Sequence, residues 1–229
     1  MKTKIPEPTL RRLSYYLRYL ERFKEKGLEI ISSKELSKGL GLSDAQVRRD
    51  LFTLGDFGKR GVGYNVDNLI SFLNTFLGLD ETQSTVLVGY GNLGKALLHY
   101  KGFKKRKFLI THVFDNDERL IGKRIAGAEI MDSKHLGKVC KKEMIKYGII
   151  AVPASSAQEI VDRMIECGIK AILNFAPIKV HVSDGIVVSS VDLTTELEWL
   201  SYHMHHTKAS KKYKVKKDLI ARSPSTSSG

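Results

Sequence analysis

Apolar residues recur at three- and four-residue spacing from Leu10 through Leu13, Leu17 and Leu20 to Phe23, between Pro8 and Gly27. That pattern predicts an amphipathic helix over 9–26 with one face turned to a core. Ser32 with Glu35 and Ser43 with Gln46 each match the S-x-x-E/Q capping box, so two short helices follow, separated by GLGLS. The second, Ser43 to Leu54, is expected to bury Val47, Leu51 and Leu54 and to leave Gln46, Arg48 and Arg49 to solvent or a ligand, which is helix-turn-helix organisation. GDFGKRGVGY, dense in glycine and basic residues, reads as a hairpin or wing. Helical periodicity returns over 66–78 (VDNLISFLNTFLG), and a domain boundary is expected near 79–83.

From there the pattern changes to apolar runs alternating with helical stretches. The predicted strands are STVLV, FLITHVF, IIAVP, AILNF, IKVHV and GIVVSSV, with helices around 132–147 and from Ser155 to Cys167. This alternation implies an α/β unit with a doubly wound parallel sheet, a Rossmann arrangement. DLTTELEWLSYHMHH reads as a terminal helix with Trp199 and leucines on one face. The expected organisation is a winged-helix unit over 1–80, a Rossmann unit over 81–191, a terminal helix over 192–206 and a basic, mostly disordered tail over 207–229.

The first Rossmann strand runs directly into Gly89, Tyr90, Gly91, Asn92, Leu93 and Gly94, a GxGxxG opening a helix. In a dinucleotide fingerprint the first glycine permits the tight turn, the second lets backbone approach a pyrophosphate, and the third allows close helix packing. The bland alternative is a turn that packs a helix and binds nothing. Asp115, at the end of FLITHVF, stands roughly 20 residues on, where the fingerprint places its ribose-binding acid. The backbone N–H groups of Asn92, Leu93 and Gly94 would receive the pyrophosphate, and Asp115 would favour NAD(H) over the phosphorylated cofactor. Arg119, Lys123 and Arg124 pull slightly the other way.

Net charge is +13, unevenly spread. Lys and Arg number 14 against 10 acids in 1–80, 17 against 14 in 81–202, and seven against one in 203–229. A basic helix beside a basic glycine loop suits DNA, with Gln46 and Arg49 reaching base edges and Arg48, Lys59 and Arg60 placed for phosphates. The bland reading is a solvated charged face. Cys140 and Cys167 lack metal-ligand spacing and read as packing residues, and His203, His205 and His206 have no carboxylate or thiol partner at ligand spacing, so no metal is expected. No apolar run suits a membrane span or a signal peptide, and a cytoplasmic location is expected.

No acid–base constellation for hydride transfer stands out, since His99 and His181 are isolated. No catalytic residue is therefore assigned. An NAD-dependent dehydrogenase with an accessory N-terminal domain stays open as an alternative, as does a constitutive DNA-binding protein using its Rossmann unit only to dimerise.

LRYL, QVRRDL, GKRGVGY, GYGNLG, FDNDERLIG, AVPA, LNFAP and SVDLTTELEWLSY occur in the order of the Rex family of redox-sensing transcriptional repressors, and the resemblance covers residues 5–206. It implies a homodimer with winged-helix units on a palindromic DNA operator, Rossmann units that bind NAD(H), and a terminal helix swapped onto the partner subunit. It further implies that NADH releases the DNA, whereas NAD⁺ competes for the same pocket and is compatible with DNA binding. Arg18, Tyr100 and Asp192 match a family network that rearranges with cofactor redox state. Leu193 matches a residue near the nicotinamide, with Pro153, Asn174, Phe175, Ala176 and Pro177 lining the same pocket. Tyr90 departs from the smaller or unbranched residues common inside this fingerprint, and the basic tail departs as well.

Overall fold

A computed structural model describes residues 5–55, 58–59 and 62–220, with backbone alone at Lys59 and over 207–220. The chain forms two units, which divide between Thr82 and Gln83, except that Phe103–Lys107 belongs to the first. The division falls inside the stretch 79–83, but the return of 103–107 has no signature in the hydrophobic pattern.

The first unit contains α1 (Glu7–Lys24), β1 (Ile30–Ile31), α2 (Ser33–Leu40), α3 (Asp44–Leu54), β2 (Gly58–Lys59), β3 (Gly63–Asn65) and α4 (Val66–Phe76). Leu13, Leu17 and Leu20 of α1 meet Leu36, Val47, Leu51, Leu69 and Leu73 in one apolar core. β2 and β3 pair antiparallel as the expected wing, and β1 adds to β3 on its other edge. Gly63 has φ +111, and a Cβ there would stand 2.6 Å from the Ile31 carbonyl oxygen, so the wing can lie against β1 only with glycine at this position.

The two capping boxes differ. Ser32 accepts from the Glu35 N–H while the Glu35 carboxylate accepts from the Ser32 N–H, the full reciprocal motif. Ser43 accepts from the Gln46 N–H, but the Gln46 amide turns to Asp50 instead. α3 thus has half a box, because a buried carboxylate four residues on competes for the amide.

The second unit contains β4 (Gln83–Val88), α5 (Asn92–Leu98), α6 (Lys101–Lys105, which leads into the first unit), β5 (Phe108–Asp115), β6 (Arg124–Ile125), β7 (Ala128–Asp132), α7 (Leu136–Lys142), β8 (Tyr147–Ile150), α8 (Ala154–Glu166), β9 (Ala171–Asn174), β10 (Val187–Ser190) and α9 (Leu193–Ile220). The sheet order is β10-β9-β8-β4-β5-β7-β6, parallel throughout except for the β6–β7 hairpin. Chain order therefore reverses between β4 and β8, the switch point where doubly wound sheets open a crevice. Val86, Val88, Phe114 and Ile150 of the sheet pack against Ala157, Val161 and Met164 of α8.

Three expectations are corrected. IKVHV is not a strand. Its backbone finds partners elsewhere, since Gln158 of α8 donates to the His181 carbonyl at 3.0 Å and accepts from the His181 N–H at 2.8 Å. The helix expected over 132–147 is a 3-10 turn at Ser133–His135 followed by the short α7, ended before Met144 at φ +52 so that β8 can begin at Tyr147. The terminal helix does not stop at His206 but runs on to Ile220, through a stretch with no glycine or proline to break it. Residues 221–229 of the expected tail lie outside the described residues. The two cysteines, far apart in sequence, are both buried in the second core, where the Cys167 thiol donates to the Met164 carbonyl oxygen at 3.1 Å. The Cys140 thiol is pushed well above its ordinary range by its neighbour Cys167 and by burial, and the Cys167 thiol is lowered by Cys140.

Candidate functional site

The glycine loop is shaped by backbone crowding on two sides and open space on the third. Gly89 follows β4 at φ +97, and a Cβ there would stand 2.5 Å from the Ala151 carbonyl oxygen after β8. A Cβ on Gly94 would stand 1.9 Å from the Gly89 carbonyl oxygen, so α5 packs onto the loop with no room for a methyl group. At Gly91 a Cβ would meet nothing within 4 Å. Gly89 and Gly94 thus have no room for a side chain while Gly91 has open space beside it, and the loop follows β4 at the switch point. Asn92, Leu93 and Gly94 form the first turn of α5, where backbone N–H groups have no acceptor within the helix, and Gly91, Asn92 and Leu93 are exposed.

Asp115 ends β5 and braces this loop. One carboxylate oxygen accepts from the Tyr90 N–H at 2.6 Å, and the other from the Asp117 N–H at 2.8 Å. An ionised carboxylate has about four acceptor positions, so capacity remains for hydroxyl donors. Tyr90 is buried, with the Lys95 ammonium 5.8 Å from its ring centre. The large side chain therefore points into the fold. Arg119 is paired in a two-pronged contact with Asp117 at 2.9 and 2.8 Å, and its bonds hold the Asp117 carboxyl down at about 2. Arg124 pairs with Glu129.

The remaining residues expected around the cofactor sit at the ends of β8, β9 and β10, on the same edge of the sheet. Pro153 precedes α8 and is exposed. Asn174 ends β9 fully buried, with its amide engaged: it donates to the carbonyl oxygens of Ala176 and Ile178 and accepts from the Ala176 N–H at 2.9 Å. It shapes the turn through Phe175, Ala176 and Pro177, of which Ala176 is buried and Pro177 exposed. Asp192 opens α9 by accepting from Thr194 and Thr195, whose N–H groups hold its carboxyl below the ordinary range. Leu193 beside it is exposed. Arg18 lies exposed on α1 in the first unit, and Tyr100 lies exposed between α5 and α6 in the second.

In the first unit Arg48 and Arg49 stand exposed on α3, Arg48 in an ion pair with Asp44 at 2.8 Å and Arg49 donating to the Gln46 side chain at 3.1 Å. Gln46 is half-buried. Lys59 belongs to β2, and Arg60 lies outside the described residues. What the hydrophobic pattern misses is the anchor behind the helix. Asp50 of α3, 3% exposed, accepts from Arg12 Nε at 2.6 Å and Nη2 at 2.8 Å, from the Tyr16 hydroxyl at 2.7 Å and from the Gln46 amide at 2.9 Å. Burial alone would raise the Asp50 carboxyl, but these donors outweigh it and hold it below the ordinary range. The available signal was spacing: Asp50 falls between Val47 and Leu51 on the buried stripe of α3, where a carboxylate requires partners.

Among the described residues no group of histidine, cysteine and carboxylate side chains is placed to hold a metal ion, and no helix is long and apolar enough to cross a membrane.

Comparison with known proteins bears on both units. Residues 4–51 match a family model described as a putative DNA-binding protein N-terminus, and residues 80–178 one described as a CoA binding domain. The redox-sensing transcriptional repressor Rex of Desulforamulus reducens is 48% identical over 201 residues, covering 88% of this chain and 96% of that protein. Rex 1 of Thermotoga maritima is 42% identical over 205 residues, covering 89% and 98%. Among solved structures, RSP in complex with β-NAD⁺ and operator DNA matches with a TM-score of 0.88 at 39% identity, covering 93% of this chain and 98% of that one. RSP with β-NADH matches at 0.82 and 36%, covering 92% and 99%. The chain belongs to the Rex family of redox-sensing transcriptional repressors.

Proposed function

We propose that this protein is a transcriptional repressor that binds a palindromic operator as a homodimer and leaves it when NADH occupies the Rossmann unit. The observation that carries the reading is the union, in one chain, of a glycine loop open at Gly91 and braced by Asp115 with a rigidly anchored helix presenting Arg48 and Arg49 outward. The relative crystallised with β-NAD⁺ and operator DNA supports the same pairing of ligands. Asp115 supports NAD(H) over its phosphorylated form, and the pairing of Arg119 and Arg124 with acids leaves both engaged rather than held ready for a 2′-phosphate. Pro153, Phe175, Ala176, Pro177 and Leu193 form the wall of the nicotinamide pocket in this reading, and Arg18, Tyr100 and Asp192 the contacts that change with redox state.

Charge supplies the redox preference. The nicotinamide of NAD⁺ is cationic and that of NADH is neutral, so closing an apolar pocket over the ring favours NADH. If that closed state sets the two α3 helices at a spacing the operator does not match, NADH and DNA oppose each other with equal and reciprocal coupling. Leu193, Leu197, Leu200 and Met204 stand at helical spacing along α9, all at least half-exposed, and support the second copy as their cover. The protein's role is regulatory, with no catalytic residue assigned and a cytoplasmic location.

The test is fluorescence anisotropy of a labelled operator titrated with NADH, NAD⁺ and NADPH at fixed salt. Release by NADH at concentrations where NAD⁺ leaves the complex intact is the expected result. Binding indifferent to all three would reduce the Rossmann unit to a scaffold, and turnover of a small substrate without operator binding would favour the dehydrogenase alternative.

A further inference from the structure

We propose that the basic end of α9 is a second DNA-contacting element, which grips phosphates flanking the operator; this rests on the repressor reading above. Helix α9 runs 28 residues from Leu193 to Ile220 and divides into two stretches of different chemistry. Its first half carries the apolar stripe of Leu193, Leu197, Leu200 and Met204 together with Glu196 and Glu198. Beyond His206 the chain carries Lys208, Lys211, Lys212, Lys214, Lys216, Lys217 and Arg222 against the single acid Asp218. Of the net charge of +13, +6 falls in residues 203–229.

A solvated helix face ordinarily mixes the two signs, because opposite charges three and four residues apart support a helix and like charges weaken it. Here Lys208, Lys212 and Lys216 follow one another at four-residue spacing, and Lys208, Lys211, Lys214 and Lys217 at three. Such a segment is favoured as a helix beside a dense array of negative charge. Duplex DNA, with one phosphate per ~1.7 Å of axis, supplies that array. An anionic membrane surface would need an apolar face of tryptophan, phenylalanine and leucine as well, and over 207–220 only Tyr213, Val215, Leu219 and Ile220 are large and apolar.

Reach and relatedness agree with this assignment. At ~1.5 Å per residue α9 spans on the order of 40 Å, more than the ~34 Å of one duplex turn. The 201 residues matched in the D. reducens relative make up 96% of that protein but 88% of this chain.

The test compares three proteins: the full chain, a chain ending at His206, and the full chain with Lys211→Gln, Lys212→Gln, Lys216→Gln and Lys217→Gln, which keeps the helix length. Each is titrated onto a labelled operator, bare or flanked on both sides by about ten base pairs, one helical turn, across roughly 50–200 mM salt. On the flanked duplex both altered proteins are expected to bind at least about tenfold more weakly at low salt. Their plots of log affinity against log salt should be shallower by about two units or more, at ~0.9 for each phosphate no longer neutralised. On the bare operator the three should coincide, and NADH should release all three. Equal slopes on the flanked duplex with NADH release intact would overturn the proposal and leave the repressor reading standing. A change seen with duplex RNA or with anionic vesicles but not with DNA would overturn it as well. If none of the three binds operator or answers to NADH, it is the repressor reading that fails.

Discussion

The two units reach their sites by opposite means. In the Rossmann unit the site is made of backbone: three glycines, first-turn N–H groups of α5, and a carboxylate that holds the loop through main-chain N–H groups. In the first unit the outward helix is held by side chains, through a single buried Asp50 gripped by Arg12, Tyr16 and Gln46. A site built of backbone tolerates side-chain change wherever space is open and none where it is closed. A site anchored on one carboxylate concentrates its fragility in that residue.

The sharpest way to break this comparison is Gly94→Ala. The new methyl group would stand 1.9 Å from the Gly89 carbonyl oxygen, a backbone atom that cannot rotate away. The cost should exceed the about 3 kcal/mol usual for overpacking, and NADH binding should vanish. A wild-type urea midpoint with NADH still bound would mean the loop is not backbone-limited.

Asp50→Ala comes next. It leaves the Arg12 guanidinium and the Tyr16 hydroxyl without their acceptor, and should cost about 3 kcal/mol, the lower end for a broken buried pair because Arg12 keeps some contact with solvent. Operator affinity should fall with it. Arg49→Ala, on the exposed side of the same helix, should leave the melting temperature unchanged and weaken operator binding alone. If the two variants lost stability and DNA binding in the same proportion, the division between anchor and contact surface would be wrong.

Gly91→Ala has a smaller effect of a different kind. Its methyl group meets no protein atom within 4 Å, so stability should stay within about 0.5 kcal/mol. The methyl group would, however, occupy the space for the pyrophosphate. An NADH affinity loss of about tenfold, or ~1.4 kcal/mol, is expected by fluorescence titration. Unchanged affinity would place the pyrophosphate elsewhere.

The contrast also explains what could be read from the chain. Glycine at Gly89, Gly91 and Gly94 and an acid at Asp115 are constraints on residue type at fixed spacing, so the loop was legible, as was the alternation that gives the sheet its order. The Asp50 network joins positions up to 38 residues apart through side-chain geometry, and hydrophobic periodicity does not register a polar residue on an apolar stripe. The failed strand IKVHV shows the same limit. Its alternation is sound, but the Gln158 side chain took the backbone groups that a neighbouring strand would have used. The return of 103–107 to the first unit turns on the two-pronged Arg106–Glu21 pair at 2.7 and 2.6 Å, a contact across 85 residues that no local pattern encodes.

The smallest predicted effect is a pH dependence confined to the side-chain-anchored unit. The Asp50 carboxyl is held below its ordinary value of 3.8 in the folded protein by Arg12, Tyr16 and Gln46 against the opposing effect of burial. A depressed carboxyl contributes stability that is full above the unfolded value and is lost as pH falls through the folded one. Tyr16 bounds the other side: burial and Asp50 raise its hydroxyl above the ordinary 10, so its contribution is full below that value and is lost as pH rises past it. Urea midpoints of the first unit should therefore be flat around neutrality and decline below about pH 4. In Asp50→Asn the unit should be weaker at neutral pH, and its acid-side decline should be shallower, because the titrating group is gone. An acid limb of the same steepness in the variant would assign the proton uptake to other carboxylates, and the first unit would then be held, like the second, by many small contacts rather than by one.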